Sequence, residues 1–313
     1  MANPPVIITG GAGFLGQLLI EHLLANDANQ PIVVVDQIEA RDQRAQSVVA
    51  DLAADPHALA PLVADGPCTI FHLASVVSSG AEADWSAAVA VNLMGLVALI
   101  EQCRASGHHH RVVFASSVAV FGGEFTGAPT GDRTKQTPTS TYGMTKAVGE
   151  LLIDDASRKG FIDGRTARLP TVIVRPGAPN MAASSFCSGI FREPLQGMRC
   201  RVPVPGNTDV VVISPQMAVT NLATLAAMDA EALGHMRAVA LPGLTVSVDQ
   251  MVAALERVGG PKAVRLLDFE PDDTVTAIVA GWPGNWDDER GRALGLIGDD
   301  NIDAIVLAFS QTL

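Results

Sequence analysis

Short apolar runs of strand length recur along the chain with helix-length stretches between them: Val6–Thr9, Ile32–Asp36, Thr69–Leu73, Arg111–Ala115 and Thr171–Arg175. This alternation predicts repeated strand–helix–strand units and a doubly wound parallel sheet, an α/β fold. The first helix is expected from Gly13 to about Ala25, with Leu15, Leu18, Leu19, Leu23 and Leu24 turned inward. A longer one runs from about Glu82 to Arg104, and a third starts after Thr139-Ser140, a capping pair, and continues through Tyr142 and Lys146 to about Lys159.

Beyond Arg175 the pattern turns irregular, with Pro176, Pro179, Pro194, Pro203, Pro205 and Pro215 cutting the chain into short pieces. Such segments commonly form a substrate lobe over the carboxyl edge of a sheet. A strand at Val210–Ile213 and a helix from Pro215 to about Met228 read as a return to the sheet. Residues 1–175, with a return at 206–240, are thus expected to form a dinucleotide-binding Rossmann domain, and residues 176–313 mainly a smaller substrate-binding lobe.

Composition narrows the partners. A hydrophobic fraction of 48% with 29 glycines suits buried parallel strands. No apolar run approaches the roughly 18 to 20 residues that span a bilayer, and Met1 to Pro5 lacks a basic leader region, so a cytoplasmic location without a membrane partner is expected. A net charge of −12 without a compensating basic stripe argues against nucleic acid, yet one well-placed arginine can still hold a small anion. Cys68, Cys103, Cys187 and Cys200 are read as reduced structural thiols. The run His108-His109-His110 is read as a solvated loop, with no metal site expected.

Chemistry enters at the first turn. The strand Val6–Thr9 leads into Gly10-Gly11-Ala12-Gly13-Phe14-Leu15-Gly16, which opens a helix. Gly10 permits the tight turn, Gly13 lets the backbone approach a pyrophosphate, and Gly16 lets helix and strand pack closely. The helix N-terminus then faces the anion. The second strand ends at Asp36, 20 residues after Gly16. A carboxylate there accepts hydrogen bonds from an adenosine ribose and repels a 2′-phosphate, so NAD is the expected cofactor. Asp51 and Leu52, past a short third strand, are placed near the adenine.

The single tyrosine, Tyr142, precedes Lys146 by one helical turn, which puts phenol and amine on one face. An ordinary phenol is a poor base at neutral pH, and a neighbouring ammonium favours its phenolate. Tyr142 is therefore predicted to take the proton of a substrate hydroxyl while hydride leaves the same carbon, with Lys146 lowering its pKa and binding the nicotinamide ribose. Ser116 and Ser117 follow the strand Val112-Val113-Phe114, and a hydroxyl there can hold the reacting oxygen in line.

In order, TGGAGFLG, VVVD, FHLAS, VNLMG, FASSVAVFG, YGMTK and RPG resemble the motifs of the extended short-chain dehydrogenase/reductase family, whose members include nucleotide-sugar epimerases, dehydratases and sugar-acid dehydrogenases. The resemblance implies that Ser117 joins Tyr142 and Lys146 in a catalytic triad. It also implies that Asn92 supports the site, that Pro176 lies against the nicotinamide, and that Phe14, Leu15, Leu73 and Ala74 add cofactor contacts. The longer stretches RLPTVIVRPGAPNMAASSF, FREPLQG and AGWPGNWDDERGRALG resemble the sugar-acid dehydrogenases, and imply NAD-dependent oxidation of a small sugar acid at its 2-hydroxyl. Phe121, where many members carry a second tyrosine, and Ala178, in place of an asparagine that often contacts the nucleotide-sugar, point the same way. A nucleotide-sugar epimerase and a nonenzymatic NAD(P) sensor stand as alternatives, the sensor disfavoured by the retention of Tyr142 and Lys146.

A small hydroxy acid needs a cation for its carboxylate and donors for its hydroxyls. Arg192 is assigned the carboxylate, with Arg175 as the other candidate and a plain Arg192–Glu193 pair as the competing reading. Ser75, Asn180, Ser184 and Ser185, with Ser117, are assigned hydroxyl contacts. In the family the long helix and the Tyr142 helix build a dimer interface. Trp85, Leu93, Val97, Val148 and Leu152 on these helices fit that role, which implies a homodimer.

Overall fold

A computed structural model describes residues 4–123, 128–178 and 183–313. Its main sheet is entirely parallel and contains β1 (Val6–Thr9), β2 (Ile32–Asp36), β3 (Gln46–Val49), β4 (Thr69–His72), β5 (His110–Ser117), β6 (Ile162–Leu169) and β10 (Ala238–Ala240), in the order β10-β6-β5-β4-β1-β2-β3. The order reverses between β1 and β4, and there the carboxyl ends of the strands part to leave a crevice. A second sheet is built from β7 (Thr171–Val172), β9 (Asp209–Ile213) and β11 (Leu244–Ser247), and a two-stranded ribbon from β8 (Cys200–Val202) and β12 (Leu267–Phe269).

The longer helices are α1 (Phe14–Asn26), α2 (Trp85–Ser106), α3 (Thr141–Arg158), α4 (Ser185–Leu195), α5 (Pro215–Ala227), α6 (Val248–Val264) and α7 (Ile302–Ser310). Because successive strand residues face opposite ways, Val6 and Ile8 join Leu19 and Ile20 of α1 and Leu222 of α5 in one apolar layer. Ile7 joins Leu96 and Leu99 of α2 and Ile153 of α3 in the other. A third core, with Ile190 and Phe191 of α4, Val210 and Val212 of β9, and Met251 and Leu255 of α6, sits under the second sheet.

Four expectations are corrected. The sixth strand of the main sheet is β6, with the sequence IDGRTARL, whereas only Thr171–Val172 of the stretch Thr171–Arg175 is strand, and it belongs to the second sheet. Every residue of β6 is buried, and its charges are neutralised in place: Arg165 pairs with Asp163 at 2.7 Å and Arg168 with Glu150 at 2.7 Å. The strand expected to return to the main sheet, Val210–Ile213, instead lies at the centre of the second one; the return is β10, which pairs with β6. His110 is not solvated but opens β5, fully buried, with Nδ1 3.1 Å from Cys68 Sγ and Nε2 2.8 Å from Ser106 Oγ. Finally, α2 is 22 residues long and holds an 18-residue stretch with a mean hydropathy of 1.6, enough by length and composition to cross a bilayer. Leu96, Leu99, Ile100 and Cys103 of this helix pack on the sheet, while Trp85 and Met94 stay exposed.

Candidate functional site

A cleft of about 360 Å³ opens at the carboxyl ends of β1, β4 and β5, lined on one side by Gly10, Gly13, Phe14, Leu15 and Gly16. The glycine turn is fixed by close approach. Gly10 has φ 71°, and a Cβ on it would stand 2.6 Å from the backbone nitrogen of Ala74. A Cβ on Gly16 would stand 2.5 Å from Gly11 Cα. Asp36, at the end of β2, accepts the Ala12 N–H at 3.0 Å through Oδ2 and its neighbour Gln37 N–H at 2.7 Å through Oδ1, which ties its carboxylate to the turn.

Across the cleft stand Ser117, Tyr142 and Lys146. Ser140 caps α3 by accepting the Gly143 N–H at 3.1 Å, so Tyr142 falls in the first helical turn. A Cβ on Gly143 would collide with the Ala119 carbonyl, so glycine there lets the start of α3 press against the helical turn Val118–Val120 that follows β5. Lys146 is 2% exposed; its Nζ donates to the Ala115 carbonyl at 2.8 Å and lies 4.8 Å from the Phe114 ring centre and 5.5 Å from that of Tyr142. Burial pushes the Tyr142 phenol up to about 12, partly offset by a hydrogen bond with Ser117, and pulls Lys146 down to about 7, partly offset by the charge of Glu150. In the protein by itself, desolvation dominates both groups.

Asn92 stands behind the cleft wall. The six residues Val89–Met94 form a π-turn within α2, and from it Asn92 accepts the Val76 N–H at 2.8 Å and the Ser75 hydroxyl at 3.1 Å, while its own amide donates to Val76 O and to Thr145 Oγ1, each at 3.0 Å. It thereby links the segment after β4 to α3. Leu73 and Ser75 line the cleft, and Ala74 supports it through its contact with Gly10.

The substrate-facing wall differs from expectation. Arg192 is 2% exposed and outside the cleft: Nε and Nη2 bond Glu193 Oε1 at 3.1 and 2.6 Å, and Nη1 donates to the Arg175 carbonyl at 2.9 Å. The competing reading of a plain Arg192–Glu193 pair is the one observed. Arg175 lines the cleft instead, with its guanidinium 6.0 Å from the Phe14 ring and Nη1 on Ala178 O at 3.2 Å. Ser184 lines the cleft and Ser185 does not. Asp51 caps its own turn through Ala53 N–H at 2.9 Å, Leu52 packs on the core, and Pro176 is exposed; none of these reaches the cleft lining. Asn180 lies outside the described residues. Sequence reasoning passed over Ser78, Thr171 and Trp282, which line the cleft. Trp282 stands in the AGWPGNWDDERGRALG stretch, whose distinctiveness was the one available signal.

The model of the NAD dependent epimerase/dehydratase family matches residues 6–210. The chain belongs to this family. Over 98% of both chains it is 43% identical to the D-erythronate dehydrogenase of Cupriavidus necator, and over 98% of both it is 39% identical to that of Haemophilus influenzae. Among solved structures, the nucleoside-diphosphate-sugar epimerase from Agrobacterium tumefaciens superposes with a TM-score of 0.89 at 36% identity, covering 98% of this chain and 93% of that one.

The cofactor of this epimerase/dehydratase family member is NAD, and the residues present fit it. Gly13 is the N-cap of α1 and brings no side chain to the first-turn N–H groups, which leaves these donors for a pyrophosphate. The turn glycines leave no room for a Cβ where the backbone must approach, and Asp36 sets an acceptor at the end of β2.

Proposed function

We propose that this family member oxidises D-erythronate, or a closely related 2-hydroxy acid, to the 2-oxo acid. The reading is carried by one observation: a single cleft collects the Tyr142 phenol, the Lys146 amine and the Ser117 hydroxyl opposite the glycine turn, with Arg175 on its wall. Arg175 has no carboxylate partner among the described residues. Likeness to two D-erythronate dehydrogenases over nearly the whole chain supports the choice of acid.

Arg175 holds the substrate carboxylate by charge-assisted hydrogen bonds. Ser117 orients the 2-hydroxyl, and Tyr142 takes its proton. Bound NAD supplies the acceptor for the hydride leaving C2, and a positive charge near the phenol. Lys146, protonated, stabilises the phenolate against the desolvation that otherwise keeps it neutral. Asn92 keeps Ser75 and α3 in register while this happens.

The test is to incubate the protein with NAD and D-erythronate and to follow reduced cofactor. Accumulation in step with consumption of the acid is expected. A second reading, a nucleotide-sugar epimerase, is favoured by the Agrobacterium tumefaciens neighbour; it predicts sugar-nucleotide turnover without net reduction, and that outcome would displace the first. We also infer a homodimer through α2 and α3, where Trp85, Met94 and Leu151 are 59%, 58% and 62% exposed. A monomer mass in sedimentation would remove that inference.

A further inference from the structure

Glu150 lies one helical turn beyond Lys146 and two beyond Tyr142, so the three side chains share a face of α3. It is 2% exposed, yet its carboxylate is bonded from three other parts of the fold. The Ser116 hydroxyl, at the end of β5, donates to Oε1 at 2.5 Å. Arg168 of β6 donates Nε to both oxygens at 3.1 Å and Nη2 to Oε2 at 2.7 Å. Gln136, in the loop before α3, donates to Oε2 at 2.5 Å. Beyond Arg168 the charges continue to alternate, through Asp132 at 3.9 Å to Arg290, which pairs with Asp132 at 2.7 Å.

A buried ion pair is on its own weak evidence for stabilisation, since apolar residues of similar size often serve as well. What distinguishes this one is where it is attached. Ser116 immediately precedes Ser117, so the Glu150–Ser116 bond fixes the backbone from which the Ser117 hydroxyl projects. The titratable and charged groups around the Lys146 amine are Tyr142 and Glu150 on its own helix and His72 on β4, while β5 presents only the Ala115 carbonyl and the Phe114 ring, and Arg168 stands behind Glu150. In that set Glu150 is the anion nearest to Lys146 along the helix.

We propose that Glu150 is a positioning residue of the reaction, one that sets the Ser117 hydroxyl through Ser116 and keeps the Lys146 amine protonated through its charge. The inference rests on the roles given above to Ser117, Tyr142 and Lys146. It also accounts for how a lysine pulled down to about 7 by burial can serve as a cation: removal of its carboxylate neighbour would let the proton leave at still lower pH.

The test compares Glu150→Gln, Ser116→Ala and Tyr142→Phe in the NAD-linked assay. In Glu150→Gln, kcat is expected to fall about ten-fold with KM for NAD nearly unchanged, and the alkaline limb of the kcat profile to move down by about half a pH unit or more. In Ser116→Ala, which leaves the Glu150–Arg168 pair in place, kcat should fall by a smaller factor with the limb unmoved. Native kcat and a native limb in both variants, or a loss of thermal stability alone, would overturn the proposal. Should Glu150→Gln fail to fold, Ser116→Ala decides, a native kcat counting against the positioning role. Turnover retained by Tyr142→Phe would sink the reading of the site itself; a dead Tyr142→Phe beside a native Glu150→Gln would sink only Glu150.

Discussion

Lys146 and Arg192 are both cations 2% exposed, and the protein treats them differently. Arg192 is held through all three of its nitrogens: Glu193 takes two and the Arg175 carbonyl the third. Lys146 makes one hydrogen bond among the described residues, to the Ala115 carbonyl, and lies over the rings of Phe114 and Tyr142, with the charge of Glu150 one helical turn away. A buried cation with its carboxylate already in hand is held in place and has little left for a ligand. A buried amine held mainly by a carbonyl is pulled toward neutrality, and its proton is available to chemistry.

The contrast breaks most directly at Tyr142. Tyr142→Phe is expected to lower kcat by about a thousand-fold, within the range for loss of a general acid or base, while binding of NAD measured by fluorescence titration stays near native. Arg192→Ala should act on the fold instead. It would leave Glu193, whose Oε2 already has no hydrogen-bond partner among the described residues, without its countercharge, and the Arg175 carbonyl without its donor. A loss of about 3–5 kcal/mol in urea unfolding is expected, with kcat of the remaining folded protein near native. A fully stable Arg192→Ala with a raised KM for the acid would instead return Arg192 to the substrate.

The same contrast explains what could be read from the sequence. The glycine turn, Asp36 and the Tyr142–Lys146 pair are local: their spacing along one strand end or one helix turn fixes their relation before any tertiary contact forms. The β6 strand was missed because Asp163, Arg165 and Arg168 give IDGRTARL a polar profile, and only the partners Arg111, Glu150 and the carbonyls at the end of α5 make it a buried strand. Arg192 was misassigned for a related reason. A single arginine does not reveal whether its fork is already filled, and here the filling residue, Glu193, is its immediate neighbour. The second sheet was hidden because β7, β9 and β11 are far apart in sequence, so β9 looked like one more strand of the main sheet.

Arg175 sharpens the comparison from the substrate's side. Its backbone is clamped by α4, with its N–H on Ser188 Oγ at 3.0 Å and its carbonyl on Arg192, while its head group lines the cleft. Arg175→Ala should therefore raise KM for a hydroxy acid by about ten- to a hundred-fold, the loss of one charge-assisted contact, and change KM for a neutral polyol far less. Equal effects on the two substrate classes would take the carboxylate away from Arg175, and a large fall in melting temperature would place it with Arg192 among the structural cations.

A further expected effect concerns His72, one of the titratable groups beside Lys146. Its ring is 1% exposed and stacked 6.0 Å from Phe114, with Nδ1 2.7 Å from Thr9 Oγ1 and Nε2 without a hydrogen-bond partner among the described residues. Burial, and then the charge of Lys146, hold it down to about 3. The folded value lies below the ordinary one, so from about pH 6.5 downward the unfolded chain takes up a proton that the folded chain refuses, and stability falls as pH falls toward 3. At about pH 5 the share due to His72 is on the order of 2 kcal/mol. His110 is shifted the same way, so the native protein alone cannot isolate that share. Urea unfolding of native protein and His72→Gln at neutral pH and near pH 5 does: the native protein should lose more stability than the variant over that interval. Parallel losses would mean that the imidazole beside Lys146 is no more reluctant to charge than an ordinary one, and that the desolvation invoked for the catalytic wall is weaker than its burial suggests.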